Sequence, residues 1–246
     1  MLDAGHYADY NQSPVLKYYW ESRQMWLLCE YLAEELASYG FEVLKTRYDP
    51  ERDLAVTTRG RMAKDCDLFI SLHSNASTSP KTDRVDVYAS YDNINDSHYL
   101  ALELAKTVAS VMGVSGGYVK TRKSTKGEWE YYGVLRGARE AGCPLYYLIE
   151  HSFHTNEKSA LWLLDDNNLK NLAKAEAAVI ALYFGVLSRG DVNSDGKSNV
   201  FDLQLIKSAV LGKTQLDSKQ NLLADVNGDG KVNMLDYSKA KNDYFK

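Results

Sequence analysis

Residues 67–73, DLFISLH, read as a short buried β-strand that hands a histidine, His73, to its carboxyl end. Apolar runs of five or six residues of this kind alternate with helical periodicity up to about Ser188, which is the pattern of a layered α/β domain. Upstream, LDAGHYADY (2–10) repeats the arrangement: residues 1–4 read as the end of a strand, and Gly5 lets the backbone turn so that His6 projects at that strand's carboxyl edge. Between the two, ESRQMWLLCEYLAEELASYG (21–40) places Met25, Leu28, Leu32 and Leu36 on one helical stripe, with Gly40 as the stop. Glu21 stands at that helix's N-terminus, where the backbone dipole favours an anion. FEVLKT (41–46) reads as a strand, DPERD (49–53) as a loop and the stretch around TTRGRMAK (57–64) as a helix. Open α/β sheets bind ligands at the carboxyl edge, so His6, Glu21 and His73 are expected to converge at one rim.

Composition narrows the function classes. The chain has 246 residues, 45% of them hydrophobic, enough for an ordinary buried core in one or two domains. A net charge of −4 without any basic run argues against nucleic acid. No apolar stretch approaches the roughly 18 residues of a membrane span, and no signal-peptide pattern opens the sequence. Cys29, Cys66 and Cys143 lack CxxC spacing and read as small buried hydrophobes.

Two histidines and one carboxylate form the ligand set of a catalytic zinc site that keeps a fourth position for water. There is no HExxH, the common helix-borne zinc motif. With five histidines in the chain, a pair at strand ends is equally readable as structural, and the residues alone leave both readings open.

Beyond Ser188 the composition changes. GDVNSDGKSNVFDLQLIKSAV (190–210) and ADVNGDGKVNMLDYSKAKNDY (224–244) are one segment written twice. Oxygen-bearing residues fall at loop positions 1, 3, 5, 9 and 12 with glycine at 6, the spacing with which a loop wraps a hard cation. The first copy offers Asp191, Asn193, Asp195, the Lys197 carbonyl, Asn199 through water, and Asp202. The second offers Asp225, Asn227, Asp229, the Lys231 carbonyl, Asn233 and Asp236, so two calcium ions are expected.

Paired DVNxDGKxNxxD segments, each followed by one helix, resemble a type I dockerin over residues 190–246. That resemblance implies a secreted protein held by a cohesin domain of a scaffoldin, as in a cellulosome. Recognition then maps to Val200, Phe201, Met234 and Leu235; the plainer reading makes these four hydrophobic staples that pack the two halves together. Many dockerins carry small hydroxylated residues there, so this chain departs from them.

LDAGH, the glutamate at a helix start, SLHSN (71–75) and GCPLYYLIEHSFHTN (142–156) resemble, in order and approximate spacing, the zinc-dependent N-acetylmuramoyl-L-alanine amidases of the amidase type 3 family, over nearly all of 1–187. The resemblance implies a mixed, mostly parallel sheet flanked by helices, followed by the small all-α calcium-loop dockerin, with domains at 1–187 and 190–246. It implies one zinc ion on His6, Glu21 and His73, and Glu150, ending the strand LYYLIE, as catalytic acid/base on a peptidoglycan substrate. Glu150 as a merely salt-bridged strand-end carboxylate is the plainer alternative.

This chain departs from the family in having Tyr7 where a glycine is usual, and His151, Ser152 and Phe153 after the glutamate. His151 and His154 read either as exposed loop histidines or as groups that tune Glu150 or touch substrate. The first strand looks short, which suggests residues upstream of Met1. Tyr88, Tyr91, Trp129, Tyr131 and Tyr132 supply aromatic surface suited to sugar rings, and Arg47, Arg59 and Arg61 read as solvated salt bridges or contacts for peptide carboxylates. Competing functions are a zinc peptidase or carboxypeptidase, and a non-catalytic wall-binding module.

Overall fold

The computed structural model describes residues 1–91, 94–127 and 130–244, with 94–97 described in backbone only. Five strands, β1 (Leu2–Ala4), β2 (Leu68–Asn75), β3 (Val85–Tyr88), β4 (Gly117–Lys120) and β5 (Leu145–Phe153), form one sheet in the order β1-β2-β5-β3-β4. β1, β2 and β5 run parallel, with Leu2 opposite Ile70 and Leu68 opposite Leu145. β3 and β4 are parallel to each other, while β3 lies antiparallel to β5. The sheet is therefore mixed and mostly parallel.

Helices α1 (Glu21–Ser38), α2 (Val56–Arg61), α3 (Ile94–Met112), α4 (Gly133–Glu140), α5 (Glu157–Leu164) and α6 (Asp166–Tyr183) accompany the sheet in sequence. The stripe Met25, Leu28, Leu32 and Leu36 is buried, as the period of α1 requires. Leu100, Leu104 and Val108 of α3 are fully buried at i, i+4 and i+8. α2 and α4 approach through glycines. A Cβ on Gly60 would fall 2.0 Å from the Val134 carbonyl oxygen, and one on Gly137 would fall 2.2 Å from that of Thr57. Phe69, Leu135, Ala138, Tyr146 and Leu148 pack together beside this crossing.

Two elements differ from the sequence expectation. Residues 41–46 do not form a strand; Lys45 makes a single parallel bridge to Leu2, with the Leu2 N–H donating to the Leu44 carbonyl at 2.8 Å and the Thr46 N–H to the Leu2 carbonyl at 3.0 Å. A three-residue β1 offers too little edge for a longer ladder. β5 runs three residues past Glu150, to Phe153, and is buried throughout. α6 stops at Tyr183, because Gly185 turns left-handed (φ +73°) and the Val186 N–H folds back to the Ala181 carbonyl at 2.8 Å.

The chain divides into two compact units, Met1–Ala173 and Lys174–Lys246. The second contains α7 (Val200–Val210), α8 (Ser218–Ala224) and α9 (Met234–Tyr244) around Val192, Leu203, Ile206, Leu216, Ala224 and Ala240. No helix among the described residues is long and apolar enough to cross a membrane.

Candidate active site

β1 ends at Ala4, and the turn beyond it is shaped by close packing. The Gly5 N–H donates to the Leu72 carbonyl at 2.9 Å, and a Cβ on Gly5 would lie 2.5 Å from the His73 ring. His6 follows in the left-handed region at φ +59°, a conformation that costs a non-glycine residue about 1–2 kcal/mol. The turn brings its Nε2 to 3.3 Å from Glu21 Oε2. Glu21, the first residue of α1, is buried, and its other oxygen, Oε1, accepts from the Ser74 N–H at 3.0 Å and meets His73 Nδ1 at 2.9 Å. Asn11 Nδ2 donates to Oε2. One atom from each of His6, Glu21 and His73 lies within 4.8 Å of the others, so the expected convergence occurs. Two imidazoles and a carboxylate at this separation suit a borderline divalent cation such as zinc.

The electrostatics of the cluster follow from burial and from these contacts. Burial pushes the Glu21 carboxyl up, but the hydrogen bonds from His6 and His73 outweigh it and hold the group well below the usual carboxylate range. Burial lowers the His73 imidazole, favouring the neutral ring that a metal requires. Glu150 lies opposite His73 on β2 and opposite Asp86 on β3. Its own burial, followed by the negative charges of Glu21 and Asp86, raises its carboxyl well above the ordinary value. Asp86 is fully buried and held by Lys120 Nζ at 2.6 Å and Arg84 Nε at 3.0 Å.

The two acidic loops of the second unit form the same hydrogen bonds twice. Asp191 accepts from the N–H groups of Asp195 (3.0 Å) and Gly196 (2.9 Å), and Asp225 accepts from Asp229 (3.0 Å) and Gly230 (2.9 Å). Asp202 bridges the N–H groups of Asn193 and Asn199, as Asp236 bridges those of Asn227 and Asn233. Asp195 and Asp229 accept from Lys197 and Lys231 at 3.0 Å each. Gly196 and Gly230 both turn at φ +85°. Carboxylates 1, 5 and 12 of each loop are thus fixed on one ring of backbone, the arrangement that calcium loops use. Val200 and Phe201 open α7, Met234 and Leu235 open α9, and all four are exposed rather than packed as staples.

A family model described as N-acetylmuramoyl-L-alanine amidase matches residues 1–181. The chain belongs to this amidase family. A second match, to the dockerin type I domain, covers residues 189–243, so the amidase carries a dockerin. Among solved structures, the chain is similar to the catalytic domain of CwlV, an N-acetylmuramoyl-L-alanine amidase from Bacillus (Paenibacillus) polymyxa var. colistinus, at 22% identity and TM-score 0.64 over 76% of this chain and 97% of that one. It is also similar to an N-acetylmuramoyl-L-alanine amidase from Clostridium difficile 630 (19%, TM-score 0.63, 75% and 95% covered). AmiC2 of Nostoc punctiforme, another such amidase, gives 20% and 0.61 over 75% and 95%. At these identities the likeness is one of fold. No curated protein matches the chain significantly.

Around the amidase site, several residues sit differently from expectation. His151 and His154 are buried, not exposed in a loop, because β5 carries on past Glu150. His151 Nδ1 lies 2.9 Å from the His73 carbonyl oxygen; His154 stacks on Tyr19 and lies 2.9 Å from the Ser74 carbonyl oxygen. Arg47 and Arg59 are buried as well: both donate to the Ala4 carbonyl, at 2.5 and 3.0 Å, and Arg59 also pairs with Asp3. Only Arg61 makes a solvated salt bridge, to Glu140. Tyr88 and Tyr132 pack at 4.7 Å, Tyr131 meets Tyr132 edge-on at 5.2 Å, and Arg122 lies 3.5 Å over the Tyr131 ring. Tyr91 stands apart, beneath Lys123 and Arg139, and Trp129 lies outside the described residues. Next to His6, Tyr10 stacks on the imidazole at 5.0 Å and Tyr7 on Tyr10 at 5.8 Å, so the residue that replaces glycine becomes part of an aromatic rim. Asn11, Ser71 and Asp86 were missed as supports of the site; only Ser71 carried a sequence signal, being two residues before His73 and so on the same face of the strand.

Proposed function

We propose that this chain is a secreted, zinc-dependent hydrolase of the amide between the lactyl group of N-acetylmuramic acid and L-alanine in peptidoglycan. The observation that carries the reading is the meeting of His6, Glu21 and His73 at the carboxyl ends of β1 and β2, with Glu150 across from His73 on β5. These three residues would hold one zinc ion, which when bound makes hydroxide available near neutral pH and polarises the scissile carbonyl. Glu150 would take the proton from the attacking water and return it to the departing amine nitrogen of L-alanine. Its buried, raised carboxyl suits it to hold that proton between the two transfers. Tyr131 and Tyr132 would offer ring faces to the glycan or the stem.

The domain limits that fit this reading are 1–187 for the catalytic part and 190–246 for the dockerin, whose loops would hold two calcium ions through Asp191, Asn193, Asp195 and Asp202 and through Asp225, Asn227, Asp229 and Asp236. The exposed Val200, Phe201, Met234 and Leu235 would meet a cohesin domain of a scaffoldin, outside the cell and in a cellulosome-like assembly.

Digestion of purified cell walls, with mass analysis of the released stem peptides, tests the chemistry. Glu150→Gln is expected to slow release by about 10²–10⁴-fold while zinc stoichiometry stays at one. Release as fast as wild type would remove Glu150 from the mechanism. Products cut within the peptide stem would move the enzyme to the peptidases. Docking is tested on a panel of cohesins: binding is expected to need calcium and to weaken by at least tenfold in Phe201→Ala/Leu235→Ala, as truncation of apolar anchors does. Calcium-independent binding, or none to any cohesin, argues against it.

A further inference from the structure

We propose that Asp3 and Ser71 are positioning residues that fix the tautomer of His73 and thereby select Nδ1 as its metal-binding atom. The inference rests on the reading of His6, Glu21 and His73 as zinc ligands, and deepens it. Asp3 and Ser71 are register partners on β1 and β2, and both are fully buried, so water does not stand in for either. The Asp3 carboxylate accepts from Ser71 Oγ at 2.7 Å, from Thr46 Oγ1 at 2.6 Å and from Arg59 Nη1 at 3.0 Å to each oxygen. A carboxylate gripped by a guanidinium accepts only, and a serine hydroxyl has one proton. That proton is committed to Asp3.

The consequence passes to the next atom in the chain of contacts. Ser71 Oγ lies 3.1 Å from His73 Nε2 and, having given its proton away, must accept from an Nε2–H. A neutral imidazole protonated at Nε2 carries its lone pair on Nδ1. Nδ1 is the atom that faces Glu21 Oε1 at 2.9 Å, within the cluster formed with His6. Arg59 reaches this network from α2 and also donates to the Ala4 carbonyl, so β1, β2 and α2 are tied behind the ligand. The arrangement is the outer-shell support by which proteins fix a histidine ligand, here with a serine interposed between carboxylate and ring.

The test uses the full-length zinc-loaded protein. Long-range ¹H–¹⁵N correlation of the histidine rings is expected to show His73 protonated at Nε2, with Nδ1 shifted by the metal. A ring protonated at Nδ1 with Nε2 on the metal overturns the inference and leaves the three-ligand reading intact. Zinc competition against a chelator is expected to show about 10–100-fold weaker binding in Ser71→Ala and in Asp3→Asn, since asparagine can donate to Ser71 and turn its proton toward His73. A purely structural role would lower the melting temperature without changing the zinc constant of the folded protein. Constants within about threefold of wild type in both variants overturn the proposal. Should either variant fail to fold, the wild-type ring spectrum still decides. Wild-type protein that binds no zinc would instead remove the ligand reading itself.

Discussion

Glu21 and Glu150 are neighbouring buried carboxyls driven in opposite directions, and the difference sets their roles. Glu21 gains hydrogen bonds from two imidazoles and a backbone N–H, so its carboxyl is held down; Glu150 meets its own burial and two negative neighbours, so without a cation beside it its carboxyl is raised. For Glu21, a depressed carboxyl contributes stability that is present above the unfolded value of about 4.3 and lost as pH falls below it. For Glu150 the sign reverses: the native state binds the proton more tightly than the unfolded chain, so stability declines as pH rises from about 4.3 toward the folded value. Glu150→Gln mimics the protonated acid at every pH. In zinc-free protein the variant should melt with wild type at pH 4 and above it at pH 8. Equal melting temperatures at pH 8 would contradict the elevated carboxyl. The convergence of His6, Glu21 and His73 was legible in sequence because each stands at an element end that periodicity locates. His151 and His154 were not: a polar run after Glu150 looks like loop, while in the fold its polar side chains are buried against partners in β2 and its flank that hydropathy does not register.

At the scale of elements, the centre depends on how closely α2 can approach α4. Arg59 lies on α2 and reaches Asp3 because Gly60 and Gly137 let the two backbones cross without side chains between them. Gly137→Ala would place a methyl 2.2 Å from the Thr57 carbonyl oxygen, backbone that cannot swing away. Expansion of the crossing is expected to cost about 1–3 kcal/mol and, by retracting Arg59, to weaken zinc binding as well. Gly142→Ala is the control, since a Cβ there meets nothing within 4 Å, though its left-handed backbone (φ +81°) still disfavours alanine. Denaturant unfolding with zinc titration separates the two: a Gly137→Ala variant that loses stability but keeps its zinc constant would uncouple the crossing from the metal site. The helix stripes and the central strands were readable from their periods. The segment 41–46 was misread because its apolar and β-branched residues suit a strand, whereas β1 has only three residues with which to pair it.

At the scale of the molecule, the duplicated tail concentrates negative charge in two loops, of which the second has Arg189 Nη1 at 3.4 Å from Asp225 Oδ2. Each loop gathers three aspartates, at positions 1, 5 and 12, onto one ring of backbone N–H groups, which share the charge without cancelling it. A divalent cation would offset that repulsion in the folded unit and would find no such array in the unfolded chain, so calcium binding, as proposed, would be linked to folding of Lys174–Lys246. At a thousandfold excess over the dissociation constant, one site contributes about 4 kcal/mol, a large share of what a unit of this size possesses. Calorimetry of calcium-depleted, zinc-loaded protein should therefore show a transition that climbs by well over about 10 °C when calcium is restored. Asp202→Ala and Asp236→Ala would remove both a proposed cation ligand and the carboxylate that accepts from the Asn199 or Asn233 N–H at the helix start, and each should reduce that climb further than loss of that one contact, about 1 kcal/mol, accounts for. The rate of stem-peptide release should be the same with and without calcium, because no residue of the His6, Glu21, His73 and Glu150 cluster lies in either loop. A melting profile indifferent to calcium would make the repeated carboxylates ordinary turn-formers, and a catalytic rate that needed calcium would place a role for the ion outside the loops.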